Sequence, residues 1–268
     1  MSTYDTYLSY TGFKTYCDCP QQYYQSYIEK KRPKIEDQRN ILNGNALHNL
    51  LEEYITIYGE NNVEWLNENI RRVWKETLDG CALVTFRHDD DAQELLDKAV
   101  RWTGELGKLL VASKLDVTKC EAELKADTIV QAGKHKVKMG ARLDIVYKNE
   151  YNDYMFLDLK ASENRAVMAF DQIVWYSIVL GEYLGDTSQP KYGGYVLPGF
   201  KELPVYGIPD EAKQKLLARL EEVVTRIKAG VWTPNPDDKK CWWCPVKHVC
   251  PVKGALIPHG NGVIYLGG

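Results

Sequence analysis

An apolar strand that ends in Asp-x-Lys constrains this chain more than any other feature. Tyr154-Met155-Phe156-Leu157-Asp158-Leu159-Lys160 reads as a buried β-strand. Strand side chains alternate, so Asp158 and Lys160 share one face and Leu157 and Leu159 the other. A carboxylate and an ammonium at the end of such a strand are costly to bury unless paired or coordinated. A second apolar strand, Gly140 to Tyr147, carries Asp144, and the Lys148–Asp153 stretch supplies a turn that returns it beside the first. Asp144 and Asp158 then meet at one sheet edge. Two hard oxygen ligands at one point suit Mg²⁺ or Mn²⁺.

Two further elements belong with them. His48 lies beside the stripe Leu47, Leu50, Leu51, Tyr54, Ile55 and Tyr58, on a helix opened by Asn43-Gly44. Gln172 and Tyr176, four apart, share a helix face, with Arg165 and Ala169 near it. A short helix is expected around the Cys19-Pro20 step within 9–28, and helices over 63–78, 91–111 and 165–184 and from Pro209-Asp210 to Gly230. Strands are expected over 117–124, 128–131, 136–147, 154–159, 193–197 and 205–208. Helices, mainly antiparallel strands, a helix, two strands and a closing helix make an α/β or α+β chain with a helical elaboration. A length of 268 residues allows one to two domains.

The chain has 7 cysteines, an odd number that excludes complete intramolecular disulfide pairing. Cys241, Cys244 and Cys250 are spaced C-x₂-C-x₅-C, which leaves a tetrahedral site one ligand short. Cys19 is the natural fourth and Cys17 the runner-up. Four thiolates hold a [4Fe–4S] cluster or a structural Zn²⁺, and spacing alone does not separate them. Cys81 and Cys120 fall outside the pattern and read as free thiols. Met1 to Asp5 shows no basic or apolar leader, and the charge-free run Gly254–Gly268 is too short to span a bilayer, so a reducing cytosol is expected.

The net charge is −3, so nucleic-acid binding would rest on local cations. Lys134, His135, Lys136, Lys138 and Arg142 alternate along a hairpin, and Lys30, Lys31, Arg32 and Lys34 form a second group. Trp242 and Trp243 can stack on bases or pack around a metal cluster, and packing is favoured.

In chain order, His48, Asp144, Asp158 with Lys160, and Gln172 with Tyr176 resemble the PD-(D/E)xK nuclease superfamily, specifically its RecB-like branch, over residues 9–252. The resemblance implies a restriction-endonuclease-like core, a central mixed β-sheet flanked by helices. One nuclease domain over 1–268 would carry a helical elaboration at 40–112, a core at 115–230 and a cluster-binding segment at 241–250 with Cys19. His48, Asp144, Asp158 and the Leu159 carbonyl would hold Mg²⁺ or Mn²⁺. Lys160 would position or deprotonate the attacking water, with Gln172 and Tyr176 orienting the lysine or the DNA backbone. Glu123 or Glu121 is a weaker candidate.

The resemblance also favours [4Fe–4S] over zinc at the four cysteines, as in CRISPR adaptation nucleases and AddB-type nuclease domains. The implied substrate is DNA, single-stranded or with free ends, contacted by Arg165, Lys136, Lys138 and Arg142. The implied activity is an exonuclease in recombination, repair or phage DNA processing. The setting is the cytoplasm of a bacterial, archaeal or phage-infected cell, with no membrane partner. A homo-oligomer or a recombination or adaptation partner protein is implied too. The alternatives are a spacer-acquisition nuclease working with an integrase, and a non-catalytic module that binds DNA or a partner.

Overall fold

A computed structural model describes residues 4–32, 37–149, 151–185 and 190–252. Lys34 of the second basic group and the run Gly254–Gly268 lie outside them. In chain order the elements are β1 (Thr6–Ser9), α1 (Tyr10–Asp18), α2 (Pro20–Tyr23), α3 (Leu42–Glu53), α4 (Glu64–Asp79), α5 (Asp91–Ala112), β2 (Glu121–Ala132), β3 (His135–Lys148), β4 (Tyr154–Leu159), α6 (Phe170–Leu184), β5 (Tyr192–Val196), β6 (Val205–Gly207), α7 (Asp210–Lys228) and α8 (Asp238–Trp242). The mixed sheet runs β1-β3-β4-β5-β6, with β2 also paired to β3. β4 and β5 are parallel and β3–β4 and β5–β6 antiparallel. The α/β class with a mixed sheet and flanking helices is as expected.

The chain divides into two compact units. The larger comprises residues 35–128 and 140–216. Its antiparallel register pairs Ile145 with Leu157 and Lys148 with Tyr154, so the turn after β3 returns the chain as expected. Ile145, Leu157, Leu159 and Val196 join Leu47, Leu50, Leu66, Ile70 and Leu106 of α3, α4 and α5 in one buried cluster. Fully burying a Leu or Ile is worth about 1.5–3 kcal/mol, so this apolar face fixes the helices on the sheet. Asn43 does not cap α3, which starts at Leu42. Its buried amide instead accepts from Trp74 Nε1 and donates to the Leu95 carbonyl, both at 2.8 Å, tying α4 and α5 to α3.

Two other local expectations differ. Val117–Lys119 is a 3₁₀ turn, with the Asp116 side chain accepting from the Thr118 amide, and the strand starts at Glu121 and runs unbroken to Ala132. Arg165–Val167 is likewise a separate 3₁₀ turn, with Asn164 accepting from the Ala166 amide, so α6 starts only at Phe170.

The smaller unit comprises residues 1–34, 129–139 and 217–268. Sequence reading missed β1, a short strand whose start is fixed by the Asp5 amide donating to the Lys136 carbonyl at 2.7 Å. Ser9 then caps α1 by accepting from the Gly12 amide. Tyr16 donates to the Val231 carbonyl at 2.7 Å, and Tyr23 stacks on Trp232, which joins the first helices to the segment after α7.

Candidate active site and cysteine cavity

Asp144 and Asp158 come together because the strand register continues one step past the Ile145–Leu157 pair. Both carboxylates are buried. Asp144 Oδ2 accepts from the Leu159 amide at 2.7 Å, and Oδ1 stands 3.1 Å from His48 Nδ1. The half-buried His48 reaches Asp144 from α3. Burial alone depresses its pKa; the hydrogen bond to Asp144, with the charges of Asp144 and Asp158, outweighs that and raises it.

Asp158 Oδ2 is fully enclosed, and the Lys160 ammonium 2.7 Å away is its charge-assisted hydrogen-bond partner. Burial, reinforced by Asp144, raises the Asp158 pKa to about 6 against the opposing Lys160. Gln172 on α6 donates to Tyr176 Oη at 2.8 Å and reaches Asp158 Oδ1 at 3.4 Å. Burial, then the Asp158 charge, pushes the Tyr176 phenol up.

Tyr195, which the sequence did not single out, lies opposite Asp158 in the parallel β4–β5 register. Its hydroxyl donates to the Ala169 carbonyl at 2.9 Å, accepts from the Ala169 amide at 3.1 Å and meets Gln172 Oε1 at 3.5 Å, while Lys160 Nζ stands 5.9 Å from the ring centroid. Gly193 makes room for the same packing. A Cβ there would stand 2.2 Å from the Phe156 ring, which packs edge-on against Tyr176.

The donor set fits a hard divalent cation: one imidazole and two buried carboxylates at one point. Another group, His88, Asp91 and Glu94, has its ligand atoms within 4.8 Å of one another. There, however, both Asp91 oxygens are engaged by the Arg39 guanidinium and one also by the Arg87 amide, so a cation would have to displace Arg39.

The expected DNA contacts have different partners. Arg142 pairs with Glu123, whose φ of 51° is left-handed. Glu121 is exposed. Arg165 is not on α6; its guanidinium grips Glu202 through two hydrogen bonds of 2.7 and 2.9 Å. In the smaller unit Lys134 and Lys136 are exposed and Lys138 is half-buried, 5.9 Å from the ring centroids of Tyr4 and Tyr7. His135 leaves this strip: it is buried on the other face, 2.9 Å from Thr225 Oγ1.

In that unit Cys19, Cys241, Cys244 and Cys250 line a single cavity walled by Pro234, Pro236, Val246 and Val252. The Asn235 amide points at Cys19 Sγ (3.4 Å) and the Asp237 amide at Cys241 Sγ (3.5 Å). Burial first, then the neighbouring cysteines, raises the thiol pKa of Cys250; burial and the same neighbours do so for Cys244. Four clustered sulfurs, with amides aimed at two of them, are a donor set for a thiolate-bound metal group, which would hold them deprotonated. Cys17 stands outside, in another cavity. Trp242 and Trp243 do not bury themselves around the cysteines: they are 48% and 77% exposed, which reverses the favoured packing.

Among known proteins, a 72-residue stretch is 35% identical to the Gene 69 protein of Mycobacterium phage L5, covering 25% of this chain and 25% of that protein. The chain thus aligns with about a quarter of the length of that curated relative. The crystal structure of SSO0001 aligns over 94% of this chain and 89% of that one, with a TM-score of 0.40 and 14% identity, too distant to bear on function. Among the described residues no helix is long and apolar enough to cross a membrane. The family profile of the PD-(D/E)XK nuclease superfamily matches residues 7–251, and the chain belongs to that superfamily.

Proposed function

We propose that the protein is a metal-dependent DNA exonuclease of the RecB-like branch, acting on single-stranded DNA or DNA ends. The observation that carries this reading is the convergence of two buried carboxylates, Asp144 and Asp158, with His48 and Lys160 at one point. Two buried carboxylates are costly unless paired or coordinated, and a divalent cation would offset their charge.

In this reading His48, Asp144, Asp158 and the Leu159 carbonyl hold one or two Mg²⁺ or Mn²⁺ ions. Bound there, the ion would polarise the scissile phosphate and lower the pKa of a water. Asp144, fixed by the Leu159 amide, keeps the ligand geometry rigid. Lys160 places its ammonium where charge builds on the phosphate and directs the attacking water. Gln172 and Tyr176, joined by their hydrogen bond, orient Asp158 and Lys160. Arg142, Lys136 and Lys138 contact DNA phosphates, with Arg165 doing so on release from Glu202.

The four-cysteine cavity carries a [4Fe–4S] cluster, with structural Zn²⁺ as the alternative. Its role is to cross-link Cys19 to the 241–250 segment. Recombination, repair or phage DNA processing is the setting that suits such an enzyme, in a cytoplasm that keeps the thiols reduced.

The test is degradation of end-labelled linear and covalently closed circular single strands, with a linear duplex alongside, in Mn²⁺, Mg²⁺ or EDTA. Loss of the linear strand alone, abolished by EDTA, is expected. Cleavage of the closed circle at an equal rate would replace exonuclease by endonuclease. Cleavage that persists in EDTA would remove the metal from the reading.

A further inference from the structure

One cavity of the smaller unit has no part in the site described above. About 410 Å³ in volume, it lies between the end of α1, the start of α2, the outer half of α7 and the strap Thr233–Asn235. A volume of this size lies in the range of small-molecule sites, about 300–1,000 Å³. Two arginines line it, Arg219 and Arg226. Seven residues apart, they stand two turns along one face of α7, with Glu222 and Val223 between them.

Both guanidiniums are steadied by aromatic faces. Arg219 stands 5.5 Å from the Phe13 ring centroid and Arg226 5.9 Å from that of Tyr16. The Arg226–Glu222 contact, at 3.9 Å, is beyond hydrogen-bond reach, unlike the two-point grip of Arg165 on Glu202. The rest of the wall is mixed: Tyr16, Pro20, Val223 and Pro234 offer flat apolar surface, and Thr233 and Asn235 offer polar atoms.

We infer that this cavity binds a nucleoside phosphate: the phosphate on the guanidiniums of Arg219 and Arg226, the base against Pro20 and Pro234. Planar guanidiniums match phosphate oxygens two at a time, which a lone carboxylate or halide would not exploit across two turns of helix. The apolar walls call for a planar, poorly hydrated group attached to the anion, and a nucleoside supplies it. The inference rests on the nuclease reading for its choice of a nucleotide. Two sources share this chemistry: a nucleotide unit of a DNA strand, and a free mononucleotide product.

Binding is measured without cleavage on full-length protein carrying Asp158→Ala, so failure of the nuclease reading shows separately in the degradation assay. Cys17 lines the cavity, with Arg219 Nη2 3.9 Å from its sulfur, and serves as the reporter. Its alkylation by a thiol reagent is followed peptide by peptide. The added probes are dTMP, thymidine, inorganic phosphate or a 5′-phosphorylated oligothymidine.

The expected result is at least fivefold slower alkylation with dTMP or the oligonucleotide, and none with thymidine or phosphate at the same concentration. Protection by the oligonucleotide at much lower concentration assigns the site to a strand, and equal protection by dTMP assigns it to the product. Arg226→Ala raises the half-protecting concentration about tenfold at an unchanged melting temperature. Arg226→Lys, which keeps the charge, raises it less. No protection by either nucleotide overturns the inference. So does equal protection by inorganic phosphate, or full protection in both Arg226 variants.

Discussion

One hydroxyl, that of Tyr195, ties the start of α6 to β5, the parallel neighbour of the strand that carries Asp158. Its partners are both backbone groups of Ala169, with the Gln172 amide at the edge of reach. Tyr195→Phe removes those bonds and keeps the ring. We expect a loss of about 1 kcal/mol in stability, read by urea unfolding, and a severalfold lower cleavage rate as Gln172 loosens. Asp91 gives a second test, on pH. The Arg39 guanidinium first, with the Arg87 amide, holds its carboxyl well below the usual carboxylate range. A depressed folded pKa stabilises above the unfolded value of about 3.9, and that stabilisation is lost as pH falls through the folded value. The gap in urea midpoint between wild type and Asp91→Asn is therefore expected to stay constant from pH 8 to pH 5, to begin narrowing below about pH 4, and still to be open at pH 3. Asp144, Asp158, Lys160, His48, Gln172 and Tyr176 are each weak signals alone; the sequence singled them out as an ordered set, and the structure brings these side chains together. Tyr195 was not singled out. Its place depends on the β4–β5 register, and one tyrosine among 18 carries no signal of that.

At the scale of elements, the hairpin of β3 and β4 and the parallel partner β5 decide where the site forms. At Gly193 on β5, Phe156 occupies the space of the missing Cβ. Gly193→Ala forces Phe156 out of its place against Tyr176. We expect a cost of about 2 kcal/mol, seen as a lower melting temperature, together with weaker cleavage. A melting temperature unchanged within a degree would contradict this packing. Most helices and strands followed from periodicity, whereas the starts of α6 and β2 did not. Asn164 and Asp116 each take a backbone amide with their own side chains, and such local hydrogen bonds compete with helix and strand. The strip of hairpin cations was only half legible as well, because His135 turns inward to Thr225.

For the whole molecule, the superfamily match runs through residues of both compact units. Cysteines more than 200 residues apart in the chain converge in the smaller one, and only Cys19 of the two N-terminal candidates shares their cavity. Protein purified without oxygen is expected to be brown, with about four irons per chain. Cys19→Ser should lose most of that iron and Cys17→Ser should keep it; a colourless wild type with one zinc would favour the alternative metal.

The central claim is that the Asp144, Asp158 and Lys160 cluster hydrolyses DNA. Its most direct test is single-turnover cleavage of a linear single strand in Mn²⁺ by wild type and Lys160→Ala, with Mn²⁺ affinity measured on both. The variant should bind Mn²⁺ within a few-fold of wild type and cleave at least about 100-fold more slowly, the range for loss of a charge-stabilising or proton-handling group. Cleavage by Lys160→Ala at the wild-type rate would contradict the account.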